Sequence, residues 1–127
     1  MSRVLVVEPA ESIAKPLCAL LEQHDFTVDL VADSAQATAL DLTVYAALVV
    51  DLKLDDATAL TLLERLHREQ SHLVGRVVVM TSAVAEEVVT ALEAIGVCDV
   101  VPKPLNAEDI VRAVLDCLEH SPSFSVQ

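Results

Sequence analysis

Aromatic residues make up only 2% of this 127-residue chain: one tyrosine, two phenylalanines and no tryptophan. The core must therefore be aliphatic, and a hydrophobic content of 54% supplies enough Val, Leu, Ile and Ala to build one. Long apolar runs are missing too. None approaches the ~18 residues a membrane span needs. The opening MSRVLVVEPA has a short apolar stretch that meets Glu8, too short for a signal peptide, so it reads as a first strand. A cytoplasmic protein is expected. Positive charge is scarce, with 8 Lys and Arg against 20 Asp and Glu and a net charge of −12. Such a chain repels phosphate backbones and anionic membrane surfaces, so neither nucleic acid nor membrane is an expected partner. A cation or a basic partner face is compatible with it. Cysteine is sparse and unpatterned: Cys18, Cys98 and Cys117 form no C-x-x-C, and each sits among apolar neighbours. They are expected to be small buried hydrophobes rather than metal or redox groups. The scattered His24, His67, His72 and His120 read as surface residues.

Two patterns alternate along what remains. Short β-branched runs occur at Val4–Val7, Phe26–Val31, Tyr45–Val50, Arg76–Met80 and Cys98–Val101. Between them apolar residues recur with helical spacing: Ile13, Leu17, Leu20 and Leu21; Leu60, Leu63 and Leu66; Val88, Ala91, Leu92 and Ile95; Ile110, Val111, Val114 and Leu118. Ala35–Leu42 is a weaker, Ala-rich helix. Gly96 stands where a helix-ending glycine belongs, Asn106 where an N-cap belongs, and Glu86 and Glu87 lie early in their helix. Pro16 falls inside the first helical stripe. With Ser12 as N-cap it removes a backbone bond, so that helix is expected to start late or bend. Strands alternating with helices imply an α/β fold, with a parallel sheet covered on both faces by right-handed crossovers. The length fits one domain. SPSFSVQ at the end reads as a frayed tail or the start of a linker.

In open parallel sheets ligands bind beyond the carboxyl ends of the strands. The polar residues there are Glu8 after the first strand, Asp51 after the third, Thr81 and Ser82 after the fourth, and Lys103 after the fifth, between Pro102 and Pro104. Two carboxylates, a hydroxyl pair and one ammonium suit a nucleophilic carboxylate with charge management around it. A phosphoryl group on Asp51 would bring anionic oxygens. Mg²⁺ could neutralise these, Lys103 pair with one and Thr81 donate to another. For Thr81, capping of the following helix stays open as well.

VLVVE (Val4–Glu8), LVVDLKL (Leu48–Leu54), VVVMTS (Val77–Ser82), the glycine of AIG (Ala94–Gly96) and PKPL (Pro102–Leu105), in this order and spacing, resemble the receiver domain of two-component response regulators. The resemblance runs from Arg3 to His120, so residues 1–120 are assigned to the receiver and 121–127 to the tail. It implies a flavodoxin-like doubly wound fold: a five-stranded parallel sheet of order 2-1-3-4-5 and five helices in three layers. It implies Asp51 as the phosphoacceptor, served by a histidine kinase or phosphotransfer protein. Thr81 and Lys103 become phosphoryl-sensing residues, and a cis peptide is implied before Pro104. The metal ligands become Glu8, Asp51 and the backbone carbonyl of Lys53. Such a domain is not an enzyme beyond self-catalysed phosphoryl transfer and dephosphorylation. Its output is a switched protein–protein interaction on the face of the fourth helix, fifth strand and fifth helix, where Val84, Val88 and Val100 offer apolar contact or belong to the core. The output protein is unnamed by the sequence, and a second copy of the chain stays open as a partner.

The departures carry information. Where the family usually ends its first strand with two acids, this chain has Glu8 and then Pro9, which cannot touch a metal. Mg²⁺ binding is therefore expected to be weakened. Glu8 itself is a metal-proximal acid or a vestige. Asp55 and Asp56 are solvated loop residues, or one of them replaces the oxygen Pro9 removed. Lys53 could stand in for part of the cation's charge. The aromatic switch residue of the family falls on Val100. These departures support a competing reading: a pseudo-receiver that binds partners without phosphorylation. A phosphatase of the dehalogenase type is disfavoured because Lys53 stands where its general acid would be. A flavin-binding flavodoxin is rejected because EPAES (Glu8–Ser12) lacks glycine.

Overall fold

The computed structural model describes residues 2–52, 57–82, 86–103 and 106–119. Five strands form one parallel sheet: β1 (Arg3–Val7), β2 (Thr27–Val31), β3 (Ala47–Leu52), β4 (Val77–Thr81) and β5 (Asp99–Pro102). Their order is β2-β1-β3-β4-β5, as expected. The helices are α1 (Glu11–Gln23), α2 (Ser34–Thr38), α3 (Ala57–Glu69), α4 (Ser71–Val74), α5 (Glu86–Ile95) and α6 (Ala107–Glu119), with a 3₁₀ turn at Leu42–Val44. The four-residue α4 adds to the expected five. It follows α3 directly after Gln70, and its Leu73 and Val74 are buried in the core.

The aliphatic strands fill two layers. Val4, Val6, Val49, Val78 and Met80 pack on one face with α1 and α6. Leu5, Val7, Leu48, Val50 and Val79 pack on the other with α3 and α5. Neighbouring strand residues thus alternate between two apolar layers. This is why the sequence shows continuous runs rather than apolar–polar alternation. The edge strands β2 and β5 are only half-buried.

Two helix ends are closed the same way by different residues. At the end of α5, Gly96 has φ +100°, and the N–H groups of Gly96 and Val97 donate to Glu93 and Leu92 carbonyls. At the end of α1, Asp25 has φ 69°, and the N–H groups of Asp25 and Phe26 donate to Glu22 and Leu21. Both are Schellman caps. Asn106 caps α6 as expected, its Oδ1 accepting the Glu108 N–H at 2.9 Å. The start of α1 differs from expectation. Its cap is Ala10 rather than Ser12, and the helix starts early instead of late, with the exposed Pro16 inside it. The second helix is shorter than Ala35–Leu42, because Asp33 caps it by accepting the Gln36 N–H and the chain then turns into the 3₁₀ segment.

The cysteines are a correction. Cys98 is exposed, not buried, and is disulfide-bonded to Cys117. The tertiary fold brings their Cα atoms to 6.1 Å across a sequence separation of 19, which no local pattern announces. Cys18 is free and half-buried. His24, His67 and His72 are exposed as expected, and His120 lies outside the described residues. Among the described residues, no helix is long and apolar enough to cross a membrane.

Candidate functional site

The sheet register builds the site. Val7 pairs with Val50, so Glu8, one residue past β1, emerges beside Asp51. Asp51 pairs with Met80, Leu52 with Thr81, and Thr81 with Pro102. Lys103 follows β5, and its N–H donates to the Thr81 carbonyl at 2.8 Å. Polar side chains at the ends of four strands therefore gather on one edge. Two boundaries differ from the sequence reading: Asp51 lies within β3, which runs to Leu52, and Thr81 is the last residue of β4.

Lys103 ties the edge together. Its Nζ lies 2.6 Å from Asp51 Oδ1 and 2.9 Å from Glu8 Oε1. All three side chains are largely withdrawn from water, with side-chain exposures of 16% for Lys103, 1% for Glu8 and 4% for Asp51. Burial pulls the Lys103 ammonium toward neutrality. Hydrogen bonds to Asp51 and Glu8, with their charges, more than offset this and raise its pKa above the ordinary lysine value. The second Glu8 oxygen, Oε2, accepts the Ala10 N–H at 3.1 Å, and the Glu8 N–H donates to Val31 at 3.0 Å. Glu8 thus bridges the entry to α1 and one side of the ammonium. Thr81 is fully buried and Ser82 is exposed, so the expected hydroxyl pair is split.

The sequence reading placed these residues on one edge but missed the carboxylate–ammonium–carboxylate bridge. The signal was present as opposite charges closing strands of one sheet, β1 and β3 against β5 across β4. Lys53, Asp55 and Asp56, the other candidate ligands, lie outside the described residues, as does Pro104 with its expected cis peptide. Among the described residues there is no group of three or more His, Cys, Asp or Glu side chains fit to hold a metal. Glu8 and Asp51 remain a two-carboxylate donor pair. That chemistry suits Mg²⁺, which commonly takes one or two carboxylates and completes its shell with phosphate oxygens and water. On the expected docking face, Val88 and Val100 are half-buried against the core layer, and Val84 lies outside the described residues. The exposed surface of α5 carries Glu86, Glu87 and Thr90 instead.

The chain is 28% identical over 120 residues to the photosynthetic apparatus regulatory protein RegA of Rhodovulum sulfidophilum, covering 94% of this chain and 64% of that protein. It therefore spans less than two thirds of that relative's length. Among solved structures, a sensor protein from Polaromonas sp. JS666 superposes with a TM-score of 0.77 at 27% identity, covering 94% of this chain and 98% of that one. A CheY-like response regulator receiver domain protein from Methanospirillum hungatei JF-1 shares the fold with a TM-score of 0.84 at 20% identity, covering 98% of each chain. The family model for the response regulator receiver domain matches residues 4–115, a span that contains every strand but the first residue of β1, together with Glu8, Asp51, Thr81 and Lys103. With that span and this strand order, the chain belongs to the response regulator receiver domain family.

Proposed function

We propose that Asp51 is the phosphoacceptor of this receiver, that Thr81 and Lys103 sense the phosphoryl group, and that the result is a switched protein–protein interaction. Membership of the family makes the chain a two-component signalling domain rather than a conventional enzyme and implies a histidine kinase as partner. The observation that supports the finer reading is the Lys103 ammonium held 2.6 Å from Asp51 Oδ1 at the carboxyl edge of the sheet. In the transfer, an Asp51 oxygen forms the new O–P bond as the P–N bond of a phosphohistidine breaks, and the leaving imidazole takes up a proton. The adduct adds roughly −1.5 to −2 of charge. Lys103, still held by Glu8, exchanges its Asp51 contact for a phosphoryl oxygen, and the Thr81 hydroxyl donates to another.

Receiver domains in general bind Mg²⁺. Here Glu8 and Asp51 would hold it, and it would neutralise phosphoryl oxygens. Pro9 offers no side-chain oxygen, so metal dependence is expected to be weak unless Asp55, Asp56 or the Lys53 carbonyl contributes. We assign residues 1–120 to the receiver and 121–127 to a tail or linker, in a cytoplasmic setting. A second reading, a pseudo-receiver that binds partners without phosphorylation, is favoured by Glu8, whose two oxygens are engaged by Lys103 and the Ala10 N–H.

Intact mass after incubation with acetyl phosphate, with and without Mg²⁺, separates the two. A single phosphoryl adduct that vanishes in Asp51→Asn supports the acceptor. A chain that stays unmodified with acetyl phosphate and with a phosphorylated histidine donor supports the pseudo-receiver.

A further inference from the structure

We propose that Cys98 and Cys117 form a thiol–disulfide exchange site, opened by a dithiol reductant, whose state governs how firmly Lys103 is presented to Glu8 and Asp51. The bond joins the residue just before β5 to α6, and the loop it closes contains β5, Lys103 and nearly all of α6. β5 is an edge strand, hydrogen-bonded on one side only, to β4. α6 is anchored independently, through Ile110, Val111 and Val114 in the layer it shares with α1. The disulfide is thus the covalent tie between a weakly held edge and a firmly packed helix. Lys103 sits one residue beyond that edge strand.

Access is asymmetric. Cys98 is exposed, whereas Cys117 is 3% exposed. A dithiol's thiolate attacks Cys98 Sγ, the S–S bond breaks, and Cys117 leaves as a thiolate that takes up a proton. The dithiol's second sulfur then attacks the mixed disulfide. Cys98 is released as a thiol, and the dithiol is oxidised to a cyclic disulfide. Two electrons and two protons have moved to the protein. An oxidised dithiol runs the same steps backwards. Exposed disulfides of this kind are the labile ones, and those in reducing compartments are typically transient. Cys18 does not compete, since burial and the nearby Glu22 carboxylate push its thiol up and keep it protonated. The exchange site stands on geometry alone. Its effect on phosphoryl transfer rests on the reading of Asp51 given above.

The test equilibrates the intact chain in mixtures of reduced and oxidised dithiothreitol, alkylates the thiols and reads mass by peptide. Cys98 and Cys117 should become labelled together as the reduced fraction rises. Hydrogen exchange across Asp99–Lys103 should be severalfold faster in the reduced form, and in Cys98→Ser, which should show no further response to reductant. The rate of Asp51 modification by acetyl phosphate should differ between the two forms. The proposal is overturned if the two cysteines label at every ratio or at none, or if exchange across Asp99–Lys103 is the same in both forms. An adduct that forms at equal rates in both also overturns the link to Lys103. If neither form takes a phosphoryl group, the acceptor reading fails, and the labelling and hydrogen-exchange results alone decide this proposal.

Discussion

Lys103 balances two buried carboxylates with one ammonium, leaving a surplus negative charge on the edge. Removing the cation and removing an anion should therefore act in opposite directions. Lys103→Met leaves Glu8 and Asp51 without their shared cation and should lose about 3 kcal/mol, the scale for breaking a buried ion pair. Asp51→Asn leaves a neutral Lys103–Glu8 pair and should be as stable as the parent or more so. Urea unfolding of both variants checks this, and equal losses would contradict the picture. A second residue-level prediction concerns Tyr45, whose hydroxyl donates to Asp29 Oδ2 at 2.7 Å. Burial first, then the bond to Asp29 and its charge, push that hydroxyl up to about 12. The folded chain thus holds this proton more tightly than the unfolded chain, where a tyrosine titrates near about 10. The stability it contributes is complete below pH ~10 and is lost as pH rises towards about 12. Tyr45→Phe should lower stability at neutral pH by about 1–2 kcal/mol and flatten the alkaline decline, leaving the parts due to Lys103 and Cys18. An unchanged alkaline slope would refute the assignment. Glu8, Asp51, Thr81 and Lys103 were legible in the sequence because each ends an apolar run. Their pairing was not, since it depends on strand register, and the Cys98–Cys117 bond was hidden because it depends on how α6 packs beside β5.

Helix ends show where sequence signals succeed and fail at the level of elements. Gly96 announced its cap because glycine is the usual residue at positive φ. Asp25 takes the same conformation at the end of α1 unannounced. There the cap is paid for by packing instead: Phe26 and Leu21, the two residues joined by its longer hydrogen bond, both lie in the core. The start of α1 was misread because Ser12 looked like the better cap. The helix begins sooner because the Ala10 N–H, an amide in need of a partner, is taken by Glu8. Gly96→Ala tests the cap logic. A Cβ there would meet Val74 Cγ1 at 3.6 Å, an ordinary contact, so any loss comes from the backbone. About 1–2 kcal/mol should go, the cost of the left-handed conformation for a residue with a Cβ. A variant as stable as the parent would mean that α5 ends differently.

For the whole molecule, a parallel sheet covered by helices on both faces followed from the alternation of β-branched runs with helical stripes, and the strand order from the resemblance to receiver domains. The two-sided core explains why those runs carry no polar alternation. The sheet's order brings β1 and β3 side by side, and so sets Glu8 next to Asp51 although α1, β2 and α2 separate them in sequence. The acidic chain, at net −12, sets the largely buried ammonium of Lys103 at that point. The central claim is that this arrangement makes Asp51 the phosphoacceptor. The most direct measurement treats the acetyl phosphate-modified chain with sodium borohydride, which reduces an acyl phosphate to the alcohol, and maps the product by peptide mass. The account predicts homoserine at position 51 and at no other acidic residue. Homoserine at Asp55 or Asp56, 5-hydroxynorvaline at Glu8, or no reduced residue at all in a chain that carries a phosphoryl group, would contradict it.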